Sequence, residues 1–114
     1  MKTLNDIQEP LNELIEDVKA VLGTSLSKII LYGSYARGEQ TEYSDVDIMI
    51  LTSLEDEEEI KKVEYKLFDL AYEIEYNSLL NFSIIVKNEN HFNRWTPTLP
   101  FYSNIYNEGV VLSA

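Results

Sequence analysis

Hydrophobic residues in this chain recur in blocks, and the spacing within each block predicts a helix or a strand. Over residues 4–22 they recur every three or four positions, which predicts an amphipathic helix. Pro10 lies inside this block, so either the first turn is separate or the continuous helix begins near Pro10. Gly23 is a typical residue for the end of a helix. A continuous apolar run within residues 26–32 then predicts a buried strand.

The middle of the chain predicts a second strand, a long helix and a third strand. Residues 46–51 form an apolar run that predicts a strand buried over most of its length. The acidic residues 55–59 favour the first turn of a helix, and apolar residues at helical spacing extend this helix to about Tyr76 and Asn77. Residues 79–86 are rich in apolar and β-branched side chains and predict the third strand.

The last quarter of the chain predicts short helices and a sheet edge. Residues 88–107 are expected to hold one or two short helices, with Pro100 in the first position of the last helix. Residues 110–112 are apolar and are expected to pack on the edge of the sheet. His91 is interpreted as structural or exposed. Trp95 and the tyrosines are interpreted as core or as a partner-binding face rather than as a base-stacking platform.

Length, charge and cysteine content limit the class of protein. With 114 residues, the chain is expected to form a single domain over residues 1–114. The sequence has no apolar stretch long enough to span a membrane, no secretory signal and no cysteine, which fits a cytoplasmic protein. A formal net charge of −11 argues against direct nucleic-acid binding, which requires a basic surface. The acidity serves solubility or complements a basic protein partner.

Two aspartates at the start of the second strand are the first candidates for chemistry. Asp45 and Asp47 alternate with Val46 and Ile48, so both carboxylates are expected on one face of the strand. Two neighbouring carboxylates repel each other, and a divalent cation relieves that repulsion. Oxygen ligands favour Mg²⁺ or Mn²⁺. The alternative is that both residues cap a turn, which explains Asp45 better than Asp47, because a carboxylate within an apolar strand is costly.

The polar loop before these aspartates is a candidate phosphate site. At Gly33 and Ser34 the backbone N–H groups are expected to point outwards, since glycine adopts positive φ and lets a ligand approach closely. Arg37 would lie about one helical turn further on and could bind phosphate oxygens with its guanidinium group. Two alternatives remain: the Gly-Ser pair forms an ordinary turn, and Arg37 only neutralises Glu39 or Glu42.

Together these residues resemble the signature of the DNA polymerase β-like nucleotidyltransferases. In that signature an apolar residue and Gly-Ser are followed, after about ten residues, by Asp, an apolar residue and Asp. Here Gly33 and Ser34 are followed by residues 35–44 and then by Asp45-Val46-Asp47. The fuller patterns Gly-Ser-x-Ala-Arg-Gly and Ser-Asp-x-Asp are similar to those of the minimal nucleotidyltransferases, many of which are antitoxins paired with helical HEPN-domain toxins.

The resemblance implies an α+β fold in which helices pack on a small mixed β-sheet, like the palm of polymerase β. It implies that Asp45 and Asp47 are both the catalytic residues and the metal ligands. The nucleotide-binding residues that it implies are Gly33, Ser34, Arg37 and Ser44. The implied cofactor is Mg²⁺ or Mn²⁺, and the implied substrate is ATP.

The implied activity is transfer of a nucleoside monophosphate, AMP from ATP in the first instance, to a hydroxyl group. By the resemblance, the acceptor is a tyrosine of a HEPN-type toxin or a group on another helical partner subunit. Active members usually carry a third carboxylate on the third strand, where this chain offers Asn81 or Ser83. Neither residue is an efficient base at neutral pH. The alternative is therefore a catalytically impaired module that neutralises a partner protein by forming a complex with it.

Overall fold

The computed structural model describes residues 2–113, which form five α-helices and four β-strands with one short 3₁₀ turn. The helices are α1 (Gln8–Leu22), α2 (Gly33–Arg37), α3 (Glu57–Ser78), α4 (Glu89–Trp95) and α5 (Pro100–Glu108). The strands are β1 (Leu26–Tyr32), β2 (Val46–Thr52), β3 (Phe82–Asn88) and β4 (Val110–Ser113). No helix among the described residues combines the length and the apolar character that a membrane crossing requires.

The four strands form one mixed sheet in the order β3-β2-β1-β4. β1 runs antiparallel to both β2 and β4, whereas β2 and β3 are parallel. Parallel neighbours need a long crossover connection, and α3 supplies it. The register places Asp47 of β2 between Tyr32 of β1 and Ser83 of β3. The mixed α+β architecture is therefore the one that the sequence predicted.

Both faces of the sheet are covered, which explains the continuous apolar runs of its central strands. On one face, Ile48 and Ile50 of β2 pack in a core with residues of α1 and α3. On the other face, Met49 and Leu51 pack in a second core with residues of α4 and α5. Because side chains alternate along a strand, Asp47 shares the face of Met49 and Leu51. The candidate site thus lies on the α4 and α5 side of the sheet.

The two long helices differ from their predicted bounds by a few residues. α1 begins at Gln8, so Pro10 falls in the first turn, where a missing N–H group costs nothing. Both alternatives for Pro10 thus describe the structure, because residues 4–7 form turns and the continuous helix begins at Gln8, near Pro10. α3 begins at Glu57, and the Asp56 carboxylate accepts a hydrogen bond from the N–H of Glu58 at 2.9 Å. It continues to Ser78, slightly beyond the predicted end.

The outer edge of β3 is covered by glutamates from α3. Glu75 accepts a hydrogen bond from the N–H of Phe82 at 2.8 Å. Glu64 accepts one from the N–H of Val86 at 2.9 Å. These side chains satisfy backbone donors on an edge strand that would otherwise be open to pairing with another chain. Glu75, one of the acids near the third strand in sequence, is therefore engaged at the sheet edge.

Candidate active site

The candidate site is built around Asp47, the second residue of β2. Asp47 is half-buried, while Asp45 lies one residue before the strand and is exposed. The two residues are separated by buried Val46. Asp45 lies near enough to Asp47 for its charge to act on the Asp47 carboxylate. A carboxylate at this position in a strand that is otherwise buried is costly unless a partner compensates it.

Gly33 makes the position of Asp47 possible. Its φ is +74°, and a Cβ atom built on Gly33 would lie 2.1 Å from Oδ2 of Asp47. The Asp47 carboxylate therefore lies directly against the α-carbon of Gly33, and any larger residue would displace it. The sequence predicted Gly33 from its backbone freedom and from the close approach that it allows a ligand. The structure gives it a second role, close contact with the candidate metal ligand.

The electrostatic environment of Asp47 favours a bound cation. Burial raises the pKa of Asp47 above its usual value, the neighbouring Asp45 raises it further, and Arg37 partly opposes the shift. Burial, together with the Asp47 charge, raises the pKa of the Tyr32 phenol to about 12. Tyr32 thus stays protonated at neutral pH and keeps an O–H donor on the face of Asp47.

Asp45 and Asp47 fit a divalent metal that takes its other ligands from water and substrate. Among residues 2–113, no group of three or more histidine, cysteine, aspartate or glutamate side chains is arranged to hold a metal ion. Asp45 and Asp47 therefore offer two neighbouring carboxylates without a third. Mg²⁺ suits such a site, since it usually takes one or two carboxylates and completes its octahedron with water and substrate phosphates.

Arg37 is the last residue of α2 and is held by two exposed ion pairs. Its Nε lies 2.6 Å from Oε1 of Glu39, and its Nη1 lies 3.5 Å from Oε2 of Glu108. The hydrogen bond with Glu39 is the main cause of the raised pKa of Arg37. The predicted alternative for Arg37, neutralisation of Glu39, is thus present in the structure. Exposed pairs of this kind are weak and exchange readily for a phosphate.

The two serines of the motif lie in different segments, Ser34 in α2 and Ser44 in the loop before Asp45. Ser34 is half-buried in the first turn of α2, and its carbonyl accepts the N–H of Glu39 at 2.9 Å. The hydroxyl of Ser44 accepts a hydrogen bond from the N–H of Thr41 at 2.8 Å and so closes the loop before Asp45. Ser44 also lines a cleft of 320 Å³ that differs from the cleft beside Arg37.

A wall of the site that the sequence did not reveal comes from α5. Phe101, Asn104 and Glu108 of this helix face Tyr32, Gly33 and Arg37 across a cleft of 210 Å³. The Tyr32 and Phe101 rings meet edge to face, with centroids 5.8 Å apart. No local sequence signal connects these segments, which are about 70 residues apart and meet only in the folded chain.

Of the two residues that the sequence offered in place of a third carboxylate, Ser83 is the one beside Asp47. Ser83 is the direct neighbour of Asp47 in the parallel register, so the two side chains share a face. Asn81 precedes β3, and its carbonyl accepts the N–H of Val46 at 2.8 Å. Burial and then the nearby charge of Glu73 raise the pKa of Asp17 in α1, so Glu73 lies beside α1. Glu89 begins α4 at the opposite end of β3. Neither glutamate supplies the missing group.

Comparisons with known proteins converge on one family. Residues 11–112 match the family described as "Nucleotidyltransferase domain". A protein of Methanocaldococcus jannaschii, provisionally named a protein adenylyltransferase, is 31% identical over 112 residues, covering 92% of this chain and 96% of the relative. A second protein of that organism with the same provisional name is 37% identical over 73 residues, covering 60% of this chain and 73% of the relative.

Two crystal structures share the fold. A nucleotidyltransferase, so assigned provisionally, from Sulfolobus solfataricus superposes with a TM-score of 0.56 at 19% identity, covering 96% of this chain and 87% of the other. A chain from the toxin–antitoxin pair MntA–HpeT superposes with a TM-score of 0.55 at 17% identity, covering 88% of this chain and 70% of the other. At these identities the superpositions establish a nucleotidyltransferase fold.

Proposed function

We propose, since this chain belongs to the nucleotidyltransferase domain family, that it transfers AMP from ATP to a hydroxyl group of a partner protein. The observation that carries the proposal is the contact between Asp47 and Gly33, with the charge of Asp45 close by. This contact joins the candidate metal ligands to the turn that would bind phosphate. The proposal places the protein in the cytoplasm, where ATP and a protein partner are both available.

In this proposal the carboxylates of Asp45 and Asp47 hold Mg²⁺ or Mn²⁺. Bound there, the cation would neutralise charge on the phosphates and on the attacking oxygen. The backbone N–H groups of Gly33 and Ser34 contact the triphosphate, and Ser44 fixes the loop that carries Asp45. Arg37 exchanges Glu39 for a phosphate oxygen and offsets the charge that develops during transfer. Pyrophosphate leaves as the bond to the acceptor oxygen forms.

The proton of the attacking hydroxyl needs an acceptor that Ser83 does not provide. In the enzymatic proposal it passes to water or to a group on the partner protein. A hydroxyl with a low pKa, such as the phenol of a tyrosine, needs the least help. This requirement favours a tyrosine of a helical partner, such as a HEPN-type toxin, as the acceptor.

A second function, neutralisation of a partner by binding alone, is favoured by one observation. The described residues bring no third carboxylate to Asp45 and Asp47. A site with two ligands could hold a nucleotide weakly without turning it over. The chain would then act as a nucleotidyltransferase-fold module that blocks a toxin by forming a complex with it, as the pairing named for MntA and HpeT suggests.

The two functions are distinguished by a single reaction. The protein is mixed with Mg²⁺, ATP and the product of the neighbouring reading frame, and the partner is then analysed by intact-mass spectrometry. The enzymatic proposal expects an added AMP on the partner. A stable complex without an adduct, for each of the nucleoside triphosphates, would contradict the enzymatic proposal and leave the binding function.

Ser83→Asp is expected to raise the transfer rate at least about 10-fold, because it places a potential base and third ligand beside Asp47. The same change adds a like charge, so it is expected to lower the melting temperature in EDTA and to restore it with Mg²⁺. Ser83→Ala is the matched control and should leave both quantities near those of the wild type. A transfer rate unchanged in Ser83→Asp would contradict the assignment of this position.

Glu39→Gln is expected to tighten ATP binding by about two- to fivefold, because it releases Arg37 from an exposed ion pair. Isothermal titration with Mg²⁺ and ATP measures the change. Glu42→Gln is the matched control: Glu42 is an exposed acid of the same loop, and ATP binding should be unaffected. Equal affinities for wild type and Glu39→Gln would count against a phosphate contact by Arg37.

A further inference from the structure

α3 has a second apolar face, opposite the one that packs in the core. Its buried face includes Leu67, Ala71 and Ile74. The opposite face presents large apolar side chains that are between 41% and 84% exposed, and we call it the α3 stripe: Tyr65, Phe68, Tyr72, Tyr76 and Leu79. These residues are three or four positions apart and so form a line along the helix and its C-cap. A surface helix needs one apolar face, and a second indicates an interaction surface.

The C-terminal half of the α3 stripe continues into an acidic groove. A cleft of 370 Å³ is lined by Tyr72, Tyr76, Glu73 and Asn77. Glu73 and Asn77 also line the groove between α1 and α3, whose other acidic residues are Glu9, Glu13, Glu16 and Asp17. The described residues that line this groove include five carboxylates and no lysine or arginine. Aromatic rings and carboxylates therefore lie side by side on one continuous surface.

A surface that combines aromatic rings and carboxylates favours a partner that carries arginine. Arginine stacks on aromatic faces and pairs with carboxylates, whereas its aliphatic stem covers apolar surface. Over the C-terminal half of the stripe, residues 67–80 contain three acids and no lysine or arginine. The lysines of α3 precede this half, and Lys2 donates hydrogen bonds to the backbone carbonyls of Ser78 and Leu79. A second copy of the chain would bring another net charge of −11 to this surface. We propose that the α3 stripe is the docking surface for an arginine-bearing amphipathic helix of a partner protein.

Leu79 supports a contact function for the stripe. It has a φ of +60° and is 84% exposed, at the C-cap where glycine is the usual residue. The left-handed conformation is costly for leucine, and the exposed side chain gains no burial within the chain. Residues held in such conformations cluster at binding and catalytic sites. A partner that covers Leu79 would give its side chain the burial that the free protein lacks.

The α3 stripe also leads towards the loop that carries Ser44 and Asp45. Leu79, Leu80 and Asn81 line both the cleft at the end of α3 and the cleft that contains Ser44. A helix docked on the stripe would end close to the loop that carries Asp45. The step from docking to presentation of an acceptor hydroxyl rests on the proposed function, whereas the docking itself does not.

The test uses a synthetic peptide of about 20 residues, labelled with fluorescein, with leucines at heptad spacing and arginines on both flanks. Fluorescence anisotropy without ATP or metal gives its affinity for the full chain. The double variant Tyr72→Ser with Tyr76→Ser is expected to bind at least about 10-fold more weakly. Tyr106→Ser is the matched control, since Tyr106 of α5 is 67% exposed, much as Tyr72 is at 68%; it should bind like the wild type.

Leu79→Gly distinguishes the loss of a peptide contact from a loss of folded protein. It is expected to weaken peptide binding by about threefold or more and to raise the melting temperature by about 2–5 °C, because glycine relieves the left-handed strain. Wild-type affinity in the stripe variants, or equal binding of a peptide with glutamates in place of the arginines, would overturn the proposal. So would a dimer of the free protein that the double variant dissociates, which would assign the stripe to a second copy. Because no step involves ATP, this result and the mass-spectrometric result are independent.

Discussion

Gly33→Ala is expected to abolish nucleotide transfer and to lower the free energy of unfolding by about 2–4 kcal/mol. Two costs combine. A φ of +74° is unfavourable for alanine, and the new Cβ would lie 2.1 Å from Oδ2 of Asp47. The Asp47 carboxylate must then move, which removes it from the geometry shared with Asp45. Denaturant unfolding measures the stability, and intact-mass analysis of the partner measures the transfer.

Gly38→Ala isolates the contribution of the contact with Asp47. Gly38 has nearly the same φ, +71°, but no atom lies within 4 Å of its added Cβ. This variant is expected to pay only the backbone strain, about 1–2 kcal/mol, and to retain most of the transfer. Equal losses of stability and transfer in the two variants would show that the contact between Gly33 and Asp47 has no special role.

The strands could be predicted closely because their burial is visible in the local sequence. β1 occupies the predicted residues 26–32, and β2 extends one residue beyond the predicted 46–51. Both strands are apolar in continuous runs that end at polar loops, since helices cover both faces of the sheet. Such runs report burial directly and do not depend on which strands become neighbours.

The helix ends were harder to predict, because apolar spacing continues beyond the hydrogen-bonded turns. Ile7 is fully buried although it precedes α1, so its spacing predicted a helix that starts too early. At the C-terminal end of α3, Leu79 adopts the left-handed conformation that ends the helix. Because leucine carries no signal for that conformation, the sequence assigned residues 79–81 to the third strand, which instead begins at Phe82.

The candidate site could be predicted only where its residues are close in sequence. The turn at Gly33 and the aspartates at positions 45 and 47 form one local motif. In the structure the Asp47 carboxylate lies against Gly33 and close to the charge of Asp45. The sequence left Asn81 and Ser83 as alternatives, and the strand register selects Ser83 as the neighbour of Asp47. The contact of Arg37 with Glu108 joins residues about 70 positions apart, and only the tertiary fold creates it.

Asp47→Asn is expected to lower the rate of nucleotide transfer by about 10³-fold or more while leaving the metal-free protein at least as stable as the wild type at pH 7. The activity falls because an amide is a poorer metal ligand than a carboxylate. The stability is retained because the change removes a half-buried charge that burial and Asp45 both penalise. Most substitutions at a partly buried strand position lower stability, so this combination is diagnostic.

The pH dependence of stability tests, without any substrate, whether the ionised Asp47 carboxylate destabilises the folded protein. Burial and Asp45 raise the pKa of Asp47 in the folded state above its usual value of 3.8. Between those two pKa values the folded protein binds more protons than the unfolded chain. This contribution to stability is therefore complete below pH 3.8 and is lost as the pH rises through the raised pKa of the folded state. Asp47→Asn should lack this loss.

Magnesium should restore the stability that the wild type loses when Asp47 ionises, because a cation bound to Asp45 and Asp47 stabilises the ionised carboxylates. The melting temperature of the wild type at pH 7 is thus expected to rise with Mg²⁺, whereas that of Asp47→Asn should change little. Asp69→Asn, the same substitution at an exposed position of α3, controls for removing one negative charge and should respond to Mg²⁺ like the wild type. If Mg²⁺ stabilised Asp47→Asn and the wild type equally, Asp47 would not be a metal ligand, and its raised pKa would reflect burial alone.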